Sequence, residues 1–220
     1  VSSSTGAHVC PGAHFTDMPA YTNWAHKGLD YCIQNGILNG TSATTIAPNS
    51  TTTRSQLVTM LYRQAGSPKA AKSSPFTDVT DSWAVDAVNR AFEKGVVNGT
   101  SPTTFSPNDA ITRQDMATIL YNYTKNVLDL DVYDTADLTG YPDYSSISDY
   151  ARTPLSWAVA QGLILGVGNS NGVDTLQVTP PVRRPPRSSC ASARTSSETS
   201  LQQHKPDGIF PSGLSCFRFS

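Results

Sequence analysis

Three stretches of this chain repeat one another, and that self-similarity limits what it can fold into more than any other feature. The copies begin at Phe15, Phe76 and Tyr141, a period of about 60 residues. Their anchors keep register. Trp24 to Gly36, Trp83 to Gly95 and Tyr150 to Gly162 are each 12 residues apart. A second glycine follows four residues later, at Gly40, Gly99 and Gly166. In the first two copies an arginine follows 14 residues after that, at Arg54 and Arg113.

Each copy reads as helix, turn, loop, helix. Apolar residues recur at steps that place one stripe on a helix: Trp83, Ala84, Ala87, Val88, Ala91 and Phe92 in copy two. Copy one fills the same register with Trp24, Ala25, Gly28, Leu29, Cys32 and Ile33, where Cys32 reads as a small buried apolar side chain. Copy three has Tyr150, Ala151, Pro154, Leu155, Ala158 and Val159, which puts Pro154 in the first turn of its helix. Gly36, Gly95 and Gly162 stop these helices in the C′ position. Thr53-Arg54-Ser55-Gln56 and Thr112-Arg113-Gln114-Asp115 resemble capping boxes that start the second helices. One such hairpin cannot bury its stripe alone, whereas three around a common axis can. The expected fold is therefore all-α.

Composition narrows the function classes. Charged residues make up 15% of the chain, below the usual ~25%, and Ser, Thr, Asn, Gly and Pro take their place. Such an uncharged polar surface is common in exported proteins. Residues 1–176 carry net −5 and residues 177–220 carry net +4, so nothing favours a nucleic-acid partner. No apolar run approaches the ~18 residues of a membrane span. Val1 is not a usual initiator and no secretory leader pattern is visible, which reads as a fragment or a processed start. Cys10, Cys32, Cys190 and Cys216 match no disulfide framework. His8, Cys10 and His14 lie close together in a Ser/Gly/Ala/Pro-rich leader and are not read as a metal site. No nucleophile elbow, zinc-protease, P-loop or paired CxxC pattern is present, and no catalytic set or cofactor is expected.

The combination of F-x-D, a W-A helix, G-x-x-x-G, F-x-P and a T-R helix start resembles the S-layer homology motif. Two copies match nearly throughout, and the third only in its first half. The resemblance implies a pseudo-threefold, three-pronged helical bundle. It also implies a non-catalytic module that holds an exported bacterial protein on the cell surface by binding secondary cell-wall polysaccharide, often through a pyruvylated sugar. Family grooves lie between neighbouring repeats and use the T-R arginine with Asp, Trp and Gly of the motif.

The domain reading is a leader at 1–14, repeat 1 at 15–66, repeat 2 at 76–126, an acidic linker at 127–140, a partial repeat 3 at 141–176 and an irregular tail at 177–220. Asp129, Asp131, Asp134 and Asp137 of the linker lack the EF-hand spacing and read as a solvated connection.

The residues themselves point to an acidic ligand. Arg54 and Arg113 are expected as first helical residues, where a helix N-terminus and a guanidinium fork together favour a carboxylate. A structural contact at the helix end is the competing role for both. Trp24 and Trp83, with Tyr150 in the same place, suit either a core position or a sugar-facing edge. Asp17, Asp78 and Asp143 suit a cap or turn, or hydrogen bonds to sugar hydroxyls. Gly40, Gly99 and Gly166 are expected to allow positive φ and a close ligand approach. Ser42 and Ser101 lie in the same loops. The expected partner is cell-wall polysaccharide linked to peptidoglycan, with no membrane insertion, bound by a monomer. The alternative is a protein–protein or self-assembly module of a surface protein.

The third copy breaks in mid-motif. Leu176 aligns with Ile46 and Phe105, and Arg184 stands eight residues on, but no Thr cap precedes it and Pro185-Pro186 follow. From Gln177 the chain loses helical periodicity, which motivates a reading-frame shift near residue 177, with a divergent basic tail as the alternative. Either way, the third hairpin would lack its second helix and leave one side of the core open.

Overall fold

A computed structural model describes residues 10–23, 25–168 and 174–176. The described chain is all-α, with α1 His26–Gln34, α2 Arg54–Gln64, α3 Ser82–Glu93, α4 Arg113–Asn126 and α5 Arg152–Ala160. Short 3-10 turns at Tyr144–Ser146 and Asp149–Ala151 precede α5. A two-residue antiparallel ladder, β1 Val167–Gly168 against β2 Asp174–Thr175, sets Val167 opposite Thr175. The break after Leu176, and Arg184, lie outside the described residues.

The repeat signals act as local chemistry requires. After α1, α3 and α5 the stop glycines share φ 65°. Each helix then ends in a Schellman motif: the Ile37, Val96 and Leu163 amides donate to the Cys32, Ala91 and Ala158 carbonyls at 2.8, 2.8 and 2.9 Å. Thr53 caps α2 in a full capping box, accepting from the Gln56 amide while the Gln56 side chain accepts from the Thr53 amide at 3.1 Å. Thr112 likewise accepts from the Asp115 amide at 3.2 Å. Asp115 does not reach back to the Thr112 amide as expected. Its chain is one methylene shorter than that of glutamine, and it accepts instead from the Thr112 hydroxyl at 2.7 Å. Pro154 is the third residue of α5, where no intrahelical N–H is needed.

Helices pair between copies, not within them. The described residues hold two such pairs, α2 on α3 and α4 on α5, with α2 also meeting α4. The hairpin of a single copy is thus not the packing unit. The two second-helix starts are laced together: Thr53 bridges Ala110, and the Ile111 amide donates to the Thr52 carbonyl at 2.9 Å. The main core runs from Leu57 through Phe105, Leu120 and Trp157 to Leu176. Phe15, Cys32, Ile37 and Ile46 are buried outside that cluster.

The stripe is narrower than its sequence register. Ala84, Ala87, Val88 and Ala91 are buried, but Trp83 is 46% exposed and Phe92 36%. Copy three repeats this, with Ala151, Leu155 and Ala158 at 0% and Tyr150 at 56%. Cys32 is buried, as expected, and is also disulfide-bonded, so it is more than an apolar filler. The linker is not simply solvated: Val132 and Leu138 are buried, and the Ala136 amide donates to the Ser156 carbonyl of α5 at 3.1 Å.

Candidate functional site

Arg54 and Arg113 begin α2 and α4, as their Thr caps predict. Both reach out of their own repeat. Arg54 donates from Nε to the Phe105 carbonyl at 3.0 Å and from Nη2 to the Asn98 carbonyl at 3.4 Å. Its guanidinium also lies 4.9 Å from the Phe105 ring centroid. Arg113 Nη2 donates to the Leu165 carbonyl. Asn98 and Leu165 each precede the second glycine of their repeat. The arginine of one repeat is therefore hooked to the same carbonyl of the next, and the seam between repeats runs through it.

The two arginines differ in access. Arg113 is buried, 6% exposed, and its Nε has no partner among the described residues. Burial lowers its pKa, and the charge of Asp143 acts against that. Arg54 is only half-buried. Its charge also lowers the pKa of Asp78 and of Tyr150, in each case as the weakest of the contributions.

One expectation about this cation site fails at α2. The free amides of a helix N-terminus were to help hold an anion. Here the Arg54 amide donates to the Asp109 carbonyl and the Ser55 amide to the Pro107 carbonyl, both at 3.0 Å, while the Gln56 amide is taken by Thr53. The lacing of α2 to the repeat 2 loop consumes them. The guanidinium, not the helix end, is what α2 can offer a ligand.

The motif aspartates brace their own loops. Asp17 accepts from the Ile46 and Ala47 amides at 2.9 and 2.7 Å, and Asp78 from the Phe105 and Ser106 amides at 2.8 and 2.7 Å. Asp143 accepts from the Leu176 amide at 3.0 Å, so copy three keeps the brace up to its last described residue. Ala47 and Ser106 sit at φ 49° and 57°, and the paired amides leading into them are what the carboxylates hold. Ser42 and Ser101 tie their loops in turn: Ser42 Oγ lies 2.6 Å from Thr45 Oγ1, and Ser101 Oγ accepts from the Thr103 amide at 3.4 Å.

The glycines answer to close approach more than to φ. Gly40 has φ 82°, but Gly99 and Gly166 are not in the positive-φ region, which corrects the sequence reading. What Gly40 and Gly99 share is a neighbour: an added Cβ would lie 2.7 Å from the Phe15 ring and 2.5 Å from the Phe76 ring. The F-x-D phenylalanine and the second glycine are thus two halves of one contact.

Trp24 lies outside the described residues. Trp83 and Tyr150 stand on the surface at matching positions. Tyr150 donates its hydroxyl to Asp115 Oδ1 at 2.6 Å, which fixes the ring beside the first turn of α4. Burial, with the Asp115 hydrogen bond second, pushes the Tyr150 pKa up to about 12. The sequence did not reveal this contact, because Asp115 reads there as a capping residue. The arrangement offers a cation at one inter-repeat seam, a fixed phenol–carboxylate pair at the next and the exposed ring of Trp83. Those groups suit an acidic, hydroxyl-rich ligand.

Comparisons with known proteins agree with the repeat. The S-layer homology domain family model matches residues 14–58 and 75–117. An endoglucanase of Bacillus sp. (strain KSM-635) is 34% identical over 78% of this chain and 18% of its own length. A surface-layer 125 kDa protein of Lysinibacillus sphaericus is 28% identical over 80% of the chain and 14% of its own. The S-layer protein sap of Bacillus anthracis is 33% identical over 47% of the chain and 12% of its own. The chain thus spans less than a fifth of each relative. No described helix is long and apolar enough to cross a membrane.

Proposed function

We propose that this chain, which carries two S-layer homology domains, is a non-catalytic module that holds a bacterial protein on the cell wall by binding acidic, pyruvylated secondary cell-wall polysaccharide. The carrying observation is the half-buried Arg54 guanidinium, held across the seam between repeats 1 and 2 by the Phe105 and Asn98 carbonyls. A ketal-linked pyruvate supplies the carboxylate for the guanidinium, and its sugar ring supplies a face for Trp83 or Tyr150. Arg113, Gly99 and Gly166 shape the neighbouring wall of the seams. The relatives fit this reading, since the matched segment occurs both in surface-layer proteins and in an endoglucanase. That distribution suits a portable anchor better than a shared catalytic unit.

The test is co-sedimentation with peptidoglycan sacculi, before and after acid removal of their polysaccharide. Pelleting should require the polysaccharide and should be competed by the purified polymer. Trp83→Ala removes an exposed face at little cost in stability, and Arg54→Gln keeps hydrogen-bonding capacity while removing the charge. Both should weaken pelleting about tenfold or more while helicity persists, as loss of a charge-assisted contact implies. Pelleting indifferent to the polysaccharide would sink the proposal and favour a protein partner.

A further inference from the structure

Away from the seams, three side chains with metal-ligand chemistry meet at the start of repeat 1. Cys10 lies in the turn that precedes the repeat, and His26 and Asp30 are one turn apart on α1. Cys10 Sγ is 3.5 Å from His26 Nε2 and 3.1 Å from Asp30 Oδ1, and His26 Nε2 is 3.1 Å from Asp30 Oδ2. His26 is 5% exposed and Asp30 7%. A tetrahedral zinc-type ion with bonds of about 2.0–2.3 Å sets its ligand atoms roughly 3.3–3.6 Å apart. The Cys10–His26 separation matches one edge of that tetrahedron, and the two contacts to the Asp30 carboxylate, each to a different oxygen, are a few tenths of an ångström shorter than such an edge.

The outer contacts have the pattern a metal site requires. His26 Nδ1 lies 2.7 Å from the Pro19 carbonyl, which can only accept, so Nδ1 carries the hydrogen. In that tautomer the Nε2 lone pair points at Asp30 Oδ2. In the neutral ring two lone pairs then face each other, a repulsion that either a metal ion or a second ring proton relieves. The Gly12 amide donates to Asp30 Oδ1 at 3.1 Å, which orients the carboxylate and leaves Oδ2 toward the histidine. Oδ1 also accepts from the Cys10 thiol at 3.1 Å, so a bound ion would take the place of that thiol proton. A carbonyl on the far ring nitrogen and an amide on the carboxylate are supports of the kind that fix metal ligands in place.

We propose that Cys10, His26 and Asp30 form a three-ligand site for a zinc-type divalent ion, with the fourth position open to water or an external ligand. Sulfur and imidazole ligands select this class over calcium or magnesium. The site would clamp the turn at Cys10–Gly12 to α1, a helix on which no other described helix packs. The competing occupant of the gap is a second ring proton, which would make a buried imidazolium–carboxylate pair.

The experiment is cobalt titration of the full chain, stripped with chelator, with the Cys10 thiol verified as free. One equivalent should bind, with a thiolate-to-cobalt charge-transfer band and the strong visible bands of tetrahedral cobalt, and zinc should displace it. Cys10→Ser should abolish the charge-transfer band and weaken binding at least about a hundredfold, and Asp30→Asn about ten- to a hundredfold. A folded wild-type chain that takes up no stoichiometric cobalt would overturn the proposal, as would an unchanged band in Cys10→Ser. X-ray absorption of the zinc-loaded wild-type chain needs no variant. It should show one sulfur ligand, and a shell of nitrogen and oxygen alone would also overturn the site.

Discussion

Helices α1 and α3 hold the same place in their repeats, yet their surroundings differ. In α3 the inner face is Ala84, Ala87, Val88 and Ala91, all buried, and it packs on α2. In α1 the buried residues are His26, Asp30 and Cys32, while Leu29, the counterpart of the fully buried Val88, is only half-buried. No described helix packs on α1. It is tied instead to its own flanking loops, through the Gly12 amide and the Pro19 carbonyl, and to the end of α2 through Arg63, which donates to the Ile37 carbonyl at 3.4 Å. The loop signals work equally well in both repeats, since the Phe–Gly contact, the aspartate brace and the Schellman stop recur unchanged. Local motifs thus build a half-repeat without its helix partner, but they do not give it the same core.

The sharpest way to break this contrast is a pair of core truncations at matching sites. Phe105 and Ile46 are both 0% exposed. Phe105→Ala should cost about 3–5 kcal/mol in the main unfolding transition, measured by denaturant titration. Ile46→Ala should act mainly on residues 15–46, seen as faster amide exchange in α1 with a smaller shift of the main transition. Equal effects on the main transition would show that the first half-repeat folds as one unit with the rest.

A second, smaller effect lies in the braces. Asp78→Asn should destabilise by about 2 kcal/mol at neutral pH, because charge-assisted hydrogen bonds to two amides are weakened. Burial disfavours the Asp78 charge, but the Phe105 and Ser106 amides, with Arg54 farther off, outweigh it and hold its pKa below the ordinary value. A depressed folded pKa means this stability is complete above the ordinary aspartate pKa, about 3.9, and is lost as pH falls through the folded value. The wild-type chain should therefore lose stability more steeply than Asp78→Asn on acidification below about pH 4. Parallel acid profiles would remove the carboxylate from the account.

The smallest expected effect concerns the caps. Thr53→Ala and Thr112→Ala should each cost about 1 kcal/mol in thermal or chemical unfolding. Gln56→Ala should add to the loss at α2, because it closes a full capping box there. At α4 the loss on Asp115→Ala should come with release of Tyr150, read as a fall of the phenol pKa from about 12 toward its ordinary value. An unchanged phenol titration would mean that burial alone holds it up.

Much of this was legible in the sequence. Stop glycines, Thr caps and the apolar period are short-range chemistry, and α2 and α4 begin at the residues their caps predict. The correspondence of Leu176 to Ile46 and Phe105 is also seen in the fold, since Asp143 braces Leu176 as Asp78 braces Phe105. The site was less legible. Arg54 was correctly read as a helix-first cation, but its commitment to carbonyls of the next repeat depends on a partner 44 to 51 residues away. The sequence reading set Cys10 beside His8 and His14 and passed over His26 and Asp30, because Cys10 joins those two only when the chain folds back on itself.

The sequence by itself determined where helices start and stop, which residues repeat and that an all-α chain results, because those outcomes rest on contacts within a few residues. Only the tertiary structure decided which helix packs on which, which end of the apolar stripe faces solvent and which amides and carbonyls the arginines and second-helix starts consume. Those depend on contacts between repeats. Identical local motifs carry no record of their neighbours, so α1 and α3 could be read alike and still be buried differently.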